Sequence, residues 1–193
     1  MREAAEIIAR EGFAALTVRR VADAAEYSTI AIYTHFGDKR GLVEAVLLEA
    51  HAGFHAALAG ADTEPPGRSQ LTASAQAYRA WALRNRSAYL VMFGLVSESF
   101  VASAEASDQM IRSFVAHTQR VADAMRVGEL TAGDPSEVAH HLWACVHGHV
   151  MLDLLMQRSV DDEAAQRSFD AAIGYMLDGL TGRSRPRPQA RRR

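Results

Sequence analysis

The side chains with the clearest chemical potential lie between Ser28 and His35, near the start of the chain. On a helix Ile32 and Phe36 share one apolar side, because they are four residues apart. The opposite side then presents hydroxyl, imidazole and aliphatic groups and no acid, from Thr29, Ile30, Tyr33, Thr34 and His35. Such a surface suits a DNA groove, where polar side chains contact phosphates and base edges.

Two short helices must hold this surface in place. Thr17 predicts the N-cap of a helix at about residues 18–25, and Ser28 predicts the N-cap of a second helix at 29–36. Helices of two turns are not stable alone in water, so both must pack on the helices that flank them. Two such helices joined by a tight turn form a helix-turn-helix unit. The cations available nearby for phosphate contacts are Arg19, Arg20 and Lys39.

Helix-forming residues dominate the whole chain. Alanine, leucine, arginine and glutamate are abundant, and strand patterns of period two are hard to find. The chain is therefore predicted to be all-α. Breaks at glycine, proline and polar turn residues place about nine helices at 2–11, 18–25, 29–36, 39–58, 69–84, 87–96, 105–127, 135–157 and 162–180.

A linker rich in glycine, proline and acid at about residues 60–68 divides the chain. We expect a helix-turn-helix domain at 1–58 and a larger helical domain at 59–182. Residues 183–193 contain six arginines, two prolines and no acid, and are expected to be disordered; the other residues contain 15 basic and 23 acidic side chains, a net charge of −8. This tail is interpreted either as an auxiliary phosphate contact or as a solvated terminus.

Composition excludes several classes of protein. With 193 residues, 49% of them apolar, and a net charge of −2, the chain is neither a uniformly basic nucleic-acid coat nor a disordered acidic protein. Its single cysteine, Cys145, excludes an internal disulfide. No apolar run approaches the roughly 18 residues needed to cross a bilayer and no signal peptide is recognisable, so a cytoplasmic protein without membrane contact is expected.

The helix-turn-helix segment closely resembles the DNA-binding domain of TetR-family transcriptional regulators. Its most specific part is the ending Tyr-x-His-Phe-x-x-Lys-x-x-Leu, present as Tyr33, His35, Phe36, Lys39 and Leu42. The resemblance implies phosphate contacts from Tyr33, His35, Lys39 and Thr17. It implies positions near the bases for Ser28, Thr29, Ile30 and Thr34.

The sequence departs from the family pattern in three places. Glu26 and Tyr27 stand where the family usually has Gly-Val, and Ile30 stands where a small residue is common. If the position of Glu26 needs a positive φ, a non-glycine residue costs about 1 kcal/mol there; we expect the turn to survive and the operator to be unusual. The basic arm that usually precedes the stretch at Ala4 is nearly missing. We expect a start codon upstream or, failing that, weaker DNA binding that the C-terminal arginines partly compensate.

The larger part resembles, more loosely, the Trp-His-Gly type of TetR C-terminal domain, at Tyr78 with Trp81, at 87–93 and at 143–148. The resemblance implies an effector-binding and dimerisation domain, whose last two long helices form a four-helix bundle with those of a second subunit. A monomer with a larger core is the alternative.

The apolar spacing of these last two helices agrees with a dimer, because each has more than one apolar side. On the helix at about 135–157 a stripe is predicted at Val138, Leu142, Cys145, His149, Leu152 and Met156. On the helix at about 162–180 a stripe is predicted at Ala165, Phe169, Ala172, Ile173, Met176 and Leu180.

Aromatic and polar side chains of the larger domain are candidates for a small-molecule site. They are Trp81, Tyr89, Met92, Phe93, Met110, Phe114, His117, Val121, Trp143 and His147. For any one of them, packing in a helical core is the alternative. Five helices around a wide interior can nevertheless leave a cavity.

Histidines on one helix suggest a metal site, but weakly. His140, His141, His147 and His149 have no cysteine or carboxylate at a companion spacing, and HExxH is absent. They are interpreted as interface or pocket hydrogen-bonding groups, and no cofactor is expected. The chain also lacks a nucleophile elbow and a glycine-rich phosphate loop, so an enzyme is disfavoured.

Two functions are therefore considered. The first is a ligand-responsive regulator, a repressor that binds a palindromic double-stranded operator as a homodimer and is released by a small apolar or aromatic molecule. The second is a helical small-molecule-binding protein that has lost operator binding, as the short start and Glu26 suggest. A catalytic helical bundle has only the histidines in its favour.

Overall fold

The computed structural model describes residues 1–94 and 103–181. Within these two ranges the chain forms nine α-helices and no strand, so the predicted all-α class is confirmed. The helices are α1 (Arg2–Glu11), α2 (Val18–Ala24), α3 (Thr29–Phe36), α4 (Lys39–Ala59), α5 (Arg68–Arg84), α6 (Arg86–Phe93), α7 (Ala104–Arg126), α8 (Pro135–Leu155) and α9 (Glu163–Leu180). Short 3-10 helices, Phe13–Ala15 and Gly60–Thr63, follow α1 and α4.

Polar caps explain where most of these helices begin. The side chains that accept a hydrogen bond from a backbone N–H of the first turn are Thr17, Ser28, Asp38, Ser103, Asp134 and Asp162. The predicted boundaries lie close to the observed ones because these residues are visible in the sequence. The predicted end of the sixth helix at residue 96 and the arginine-rich tail at 183–193 lie outside the described residues.

The N-terminal helices pack on the first half of α4. Ile8, Leu16 and Leu42 belong to this first core, together with Val91 of α6 and Ala106 of α7. Helix α1 also lies against α6. The helix-turn-helix part and the larger part therefore share buried side chains, which makes relative motion of the two parts sensitive to changes in α6.

The second core lies among the larger helices, and the far end of α4 reaches into it with Phe54 and Leu58. Residues 39–63 form the one helical stretch in the described ranges that is long and apolar enough to cross a membrane, with a mean hydropathy of 1.3. The expectation that no segment approaches this length was wrong. Because the apolar side chains of α4 are buried in both cores, the stretch is a core helix.

A charged cluster is buried in the second core. The side chain of Arg79 is 1% exposed. Its Nε donates to Oδ2 of Asp153 at 2.8 Å, and its Nη1 donates to Oε1 of Gln166 at 2.6 Å. The guanidinium also lies 5.6 Å from the centroid of the Phe169 ring. These contacts join α5 to α8 and α9, and the sequence analysis did not anticipate them.

Helix α8 has two apolar sides, and its predicted stripe is not the more buried of the two. The buried residues of α8 are Ala139, Leu142, Val146, Val150, Asp153 and Leu154. Of the predicted stripe, Leu142 is buried, whereas Leu152 and Met156 are exposed. Hydrophobicity alone does not tell the core side from the other, because both sides are apolar. On α9 the buried residues are Ala165, Phe169, Ile173 and Leu177, and Leu180 is only half-buried.

We expect the Asp153→Asn substitution to lower the free energy of unfolding by about 3 kcal/mol, because it leaves a buried guanidinium without its counter-charge. The matched control is Asp178→Asn, which removes the acceptor of an exposed ion pair with Arg68 at 2.7 Å and should cost less than about 1 kcal/mol. Urea unfolding followed by circular dichroism measures both. Equal losses of unfolding free energy in the two variants would show that burial does not increase the contribution of the Arg79–Asp153 pair to stability.

Candidate functional site

Apolar side chains on the inner side hold the helix-turn-helix unit of α2 and α3 together. Ile32 is 7% exposed and packs with Val18 and Ala22 of α2. Phe36 packs both against this group and against the first core. Helix α3 is therefore fixed by two contacts one turn apart, and its other side is left toward solvent.

The outer side of α3 carries the residues that the sequence predicted for DNA contact. Ile30 is 78% and Tyr33 is 53% exposed. Thr34 and His35 are also exposed, and Thr29 is half-buried. The structure thus brings the outward residues of α3 onto one surface, and their contact with DNA remains a prediction.

The two predicted caps are formed at the starts of α2 and α3. The Thr17 hydroxyl oxygen accepts a hydrogen bond from the N–H of Arg20 at 3.2 Å. The Ser28 hydroxyl oxygen accepts one from the N–H of Ala31 at 3.1 Å. Both residues are exposed, so each hydroxyl hydrogen can still be donated to an outside acceptor.

The turn between α2 and α3 contains a strained residue. Glu26 has a φ of 57°, in the left-handed region. Its N–H donates to the carbonyl of Asp23 at 3.4 Å, and the N–H of Tyr27 donates to the carbonyl of Ala22 at 2.9 Å. This is the hydrogen-bonding pattern of the Schellman motif, in which a residue just after the helix adopts the left-handed conformation and is usually glycine. The condition stated from the sequence is met, and Glu26 occupies this conformation at a cost of about 1 kcal/mol.

Two of the three nearby cations are engaged within the protein. Arg20 donates to the carboxylate of Glu11 at 2.7 Å, and this hydrogen bond lowers the pKa of Glu11. Lys39 Nζ donates to the carbonyl of Phe13 at 2.7 Å and lies 4.1 Å from the centroid of its ring. Arg19 is exposed and makes no hydrogen bond to a residue of the described ranges. Arg19 is therefore the readiest phosphate ligand of the three.

A cavity of about 390 Å³ lies inside the larger helical part. Helices α4 to α9 all contribute to its wall. The apolar part of the wall includes Phe54, Leu58, Leu71, Phe93, Phe114 and Trp143. Its polar part is formed by His51, Ser74, Tyr78, Ser113, His117 and His140.

The cavity includes most of the predicted ligand-contact residues. Those that line it are Met92, Phe93, Met110, Phe114, His117 and Trp143. The other four do not line it, and ligand contact by any of the ten stays a prediction. Trp81 packs on the ring of Phe54 with a centroid distance of 5.2 Å, and Tyr89 and His147 lie behind the wall, bonded to Tyr78. Val121 is fully buried in the core.

Sequence reasoning missed the contribution of α4 to the cavity. His51, Phe54 and Leu58 line it, and all three are buried. The sequence predicted that this helix lies wholly in the helix-turn-helix domain at 1–58. The available signal was the apolar spacing of α4, which continues well past the residues that a small N-terminal domain can cover.

The polar side chains of the cavity wall are hydroxyls and imidazoles. No Asp, Glu, Lys or Arg lines the cavity in the part of the chain that the structure describes. His117 donates from Nε2 to the carbonyl of Ala139 at 3.1 Å, and burial lowers its pKa to about 4. Burial also lowers the pKa of His51. Both rings are therefore neutral at pH 7, and Nδ1 of His117 is a hydrogen-bond acceptor.

A hydrogen-bonded cluster of Tyr78, Tyr89 and His147 lies behind the wall. The two hydroxyls are 2.9 Å apart, and they lie 3.1 Å and 2.7 Å from Nδ1 of His147 respectively. Burial raises the pKa of Tyr78 to about 12 and lowers the pKa of His147. The hydroxyls therefore stay protonated and the ring stays neutral. The cluster ties α5 to α6 and α8, and Tyr78 is its member in the cavity wall.

Helices α8 and α9 share an uncovered apolar surface. Its large members are Leu152, Leu155, Met156 and Tyr175, all more than half exposed. Exposed small residues, Ala144 and Gly148, precede them on α8 at helical spacing. A surface with large and small apolar residues on neighbouring helices is typical of a helix-bundle interface.

The histidines of α8 do not gather into a metal site. Over residues 1–94 and 103–181, no group of three or more His, Cys, Asp or Glu side chains could hold a metal ion. His140 lines the cavity, His147 belongs to the tyrosine cluster, and His149 lies 5.7 Å from the ring of Phe169. The interpretation of these histidines as interface or pocket hydrogen-bonding groups stays a prediction.

Two family models match the sequence. The model described as "Bacterial regulatory proteins, tetR family" matches residues 1–46, and the model described as "Tetracyclin repressor-like, C-terminal domain" matches residues 71–176. Among curated proteins, no sequence matches this chain significantly.

Solved structures share the fold along nearly the whole chain. A protein of unknown function from Rhodococcus sp. RHA1 is 26% identical, with a TM-score of 0.78 over 92% of this chain and 91% of that one. The TetR-family regulator PfmR from Thermus thermophilus is 19% identical, with a TM-score of 0.77 over 93% and 97%. The regulator FadR from Bacillus subtilis, in complex with stearoyl-CoA, is 14% identical, with a TM-score of 0.71 over 93% and 95%.

We expect the His117→Gln substitution to flatten the pH dependence of stability. Its lowered pKa means that, as the pH falls from about 6.5 to 4, the unfolded chain binds a proton at His117 and the folded chain does not. The free energy of unfolding of the unmodified protein should therefore fall over this range by about 2 kcal/mol more than that of the variant. Glutamine can keep the bond to Ala139. Urea titrations at four pH values measure the free energy of unfolding of both proteins. If this free energy changes with pH by the same amount in both, the His117 ring is not held neutral in the folded protein.

Proposed function

We propose that this chain, which belongs to the TetR family of bacterial transcriptional regulators, binds a palindromic operator as a cytoplasmic homodimer and is released by an uncharged apolar molecule. The family consists of regulators and not of enzymes, so the function lies in binding. The observation that carries the proposal is the anchoring of α3 by Ile32 and Phe36, which leaves its hydroxyl-rich side exposed. Helix α3 would enter the major groove, with its N-terminal residues at the base edges.

The dimer is proposed to form through the uncovered apolar surface of α8 and α9. Leu152, Leu155 and Tyr175 would be buried against the same helices of a second copy, in an interface with twofold symmetry. Two α3 helices would then face one side of the DNA. Their half-sites would lie about 34–36 Å apart, one turn of the double helix.

Helix α4 is proposed as the first link between cavity and DNA. It begins at Lys39, directly after the helix-turn-helix unit, and its far half forms cavity wall at His51, Phe54 and Leu58. Its near half is tied to the start of α7, because the carboxylate of Glu44 accepts hydrogen bonds from the backbone N–H and the hydroxyl of Ser103, the N-cap of α7. A ligand that displaces the far half of α4 would therefore tilt its near half.

Helix α6 is proposed as the second link, because neighbouring residues on it face different parts of the protein. Val91 is fully buried in the core shared with α1, while Met92 and Phe93 line the cavity. Tyr89, earlier on the same helix, is held by Tyr78 in the cavity wall. A shift of α6 would therefore act directly on α1 and on the platform that supports α3.

For release, the ligand must bind the conformation that does not fit DNA more tightly than the one that does. Shifting the population from 1:99 to 99:1 requires about 5.5 kcal/mol of difference in binding free energy. A molecule that binds both conformations equally shifts nothing, however tightly it binds. Helices α4 and α6 contribute several side chains to the cavity wall. A shift of these helices would therefore change the contacts of the ligand and its binding free energy.

The uncharged wall favours an uncharged ligand. An apolar molecule with one or two hydrogen-bonding groups would satisfy the aromatic side chains and the neutral polar groups, such as the His117 acceptor. The FadR neighbour is in complex with stearoyl-CoA, and the phosphates of a coenzyme A group need cationic partners. The described cavity wall supplies none, so we propose a smaller uncharged ligand here.

A second candidate is a small-molecule-binding protein without operator binding. The observation in its favour is Glu26, which is exposed at the turn where the DNA backbone would approach. A carboxylate there would repel phosphate. The two candidates differ in whether the full-length protein binds any DNA.

We expect the full-length protein to bind duplex DNA selected from a random library, and also the promoter region beside its own gene. Fluorescence anisotropy should give an affinity that falls more than about tenfold between 50 and 200 mM salt, because bound phosphates release counterions. Arg19→Ala should weaken binding and reduce the slope of this salt dependence. Arg112→Ala, a loss of the same charge on exposed α7, should change neither. Absence of salt-sensitive binding would leave the second candidate.

The Leu155→Glu substitution tests the proposed dimer. This change puts two charges into the proposed interface, so the variant should sediment as a monomer and lose most of its operator affinity. Val115→Glu, at an exposed valine of α7, is the matched control and should remain dimeric. An unmodified protein that sediments as a monomer would contradict the proposed assembly.

We expect the cavity to bind the neutral fluorophore N-phenyl-1-naphthylamine more tightly than its anionic relative 8-anilinonaphthalene-1-sulfonate, because the wall has no cation for the sulfonate. Ala75→Leu fills part of the cavity and should weaken binding of the neutral probe about tenfold or more. Ala52→Leu, on the exposed side of α4, is the control. Tighter binding of the sulfonate would overturn the uncharged-ligand proposal.

A further inference from the structure

On the outer side of α3, the hydroxyl hydrogen of Thr34 is not free for a base edge. The Thr34 hydroxyl donates to the carbonyl of Ile30 in its own helix, at 2.9 Å. The methyl group of this exposed side chain is then the part left for an outside contact. Hydrogen bonding within the helix therefore makes this surface more apolar than its composition suggests.

Ile30 stands at the centre of this surface. At 78% exposed, it has the highest exposure of the large hydrophobic side chains in the described ranges. Thr34 lies four residues later, on the same side of α3, so its methyl group extends the aliphatic surface of Ile30. No charged residue lies on α3 itself apart from a histidine, so the apolar contact surface is not interrupted.

Only one base offers an apolar partner in the major groove. Thymine carries a C5-methyl group there, whereas the other three bases present hydrogen-bond donors and acceptors at their exposed edges. An isoleucine against those polar edges would cover donors and acceptors without replacing their bonds to water. An isoleucine against a thymine methyl buries apolar surface on both sides.

We propose that Ile30, extended by the methyl group of Thr34, packs on the C5-methyl of a thymine in each operator half-site and thereby selects an A·T pair at that position. This inference rests on the proposed function, because it needs α3 to enter the major groove. It goes beyond that function by assigning a base preference to one side chain. The preference is apolar, and it does not depend on a hydrogen bond.

The experiment uses the full-length protein and a palindromic operator selected from random duplex DNA. Each thymine of the half-site is replaced in turn, in both half-sites at once, by deoxyuridine, which lacks only the methyl group. At one thymine we expect the affinity of the unmodified protein to fall about fifteenfold, because each of the two lost methyl groups is worth roughly a factor of four. Ile30→Ala should bind the thymine and uracil operators at that position equally well.

Ile30→Ala is a suitable variant because alanine favours helix at an exposed position, so the fold should be retained; thermal unfolding checks this. Uracil replacement at the other thymines serves as the control for general effects on the duplex. The inference is overturned if no thymine shows a methyl effect that disappears in Ile30→Ala. It is also overturned if, relative to the unmodified protein, the variant loses affinity for the thymine and uracil operators by the same factor, because the methyl effect then persists without Ile30. If no DNA is selected, the proposed regulator function itself fails, which is a different result.

Discussion

The packing of Ile32 and Phe36 against α2 and the first core is the interaction on which the functional surface depends. Helix α3 has eight residues, too few to be stable in water without tertiary contacts. Its orientation is set by these two side chains and by the strained turn at Glu26. Every outward residue, from Thr29 to His35, takes its direction from that packing. A polar substitution at Ile32 would therefore disorganise the surface without touching any group that faces DNA.

The outer side of α3 is connected to the cavity through helices that the two parts of the protein share. Helix α4 contributes Leu42 to the first core and Phe54 to the second, so neither core can repack without moving it. Helix α6 repeats the arrangement within three residues, from Val91 to Phe93. Well-packed cores move between alternative arrangements more readily than they deform continuously. Under the proposed mechanism, a ligand in the cavity would thus act at a distance by displacing these two helices.

Much of this architecture was predictable because it is encoded locally. Caps such as Thr17, Ser28 and Asp162 mark helix starts in the sequence itself, and the all-α class follows from propensity. Long-range pairings were not predictable. Arg79 and Asp153 are 74 residues apart, and the engagement of Lys39 by Phe13 depends on how α1 meets α4. The position of Trp81, Tyr89 and His147 behind the cavity wall, and that of His51 in it, depends on helix rotation, which two-sided apolar helices such as α8 leave open.

The uncharged wall of the cavity also bears on how a cell would deliver the ligand. Charged molecules cross the hydrocarbon interior of a membrane only at a high cost in free energy, whereas small neutral apolar molecules partition into it readily. A neutral apolar ligand that reached this protein from outside the cell would therefore need no dedicated uptake protein, because it could enter by passive diffusion. The response would follow the external concentration of the compound directly, and its timing would be set by permeation and not by transport.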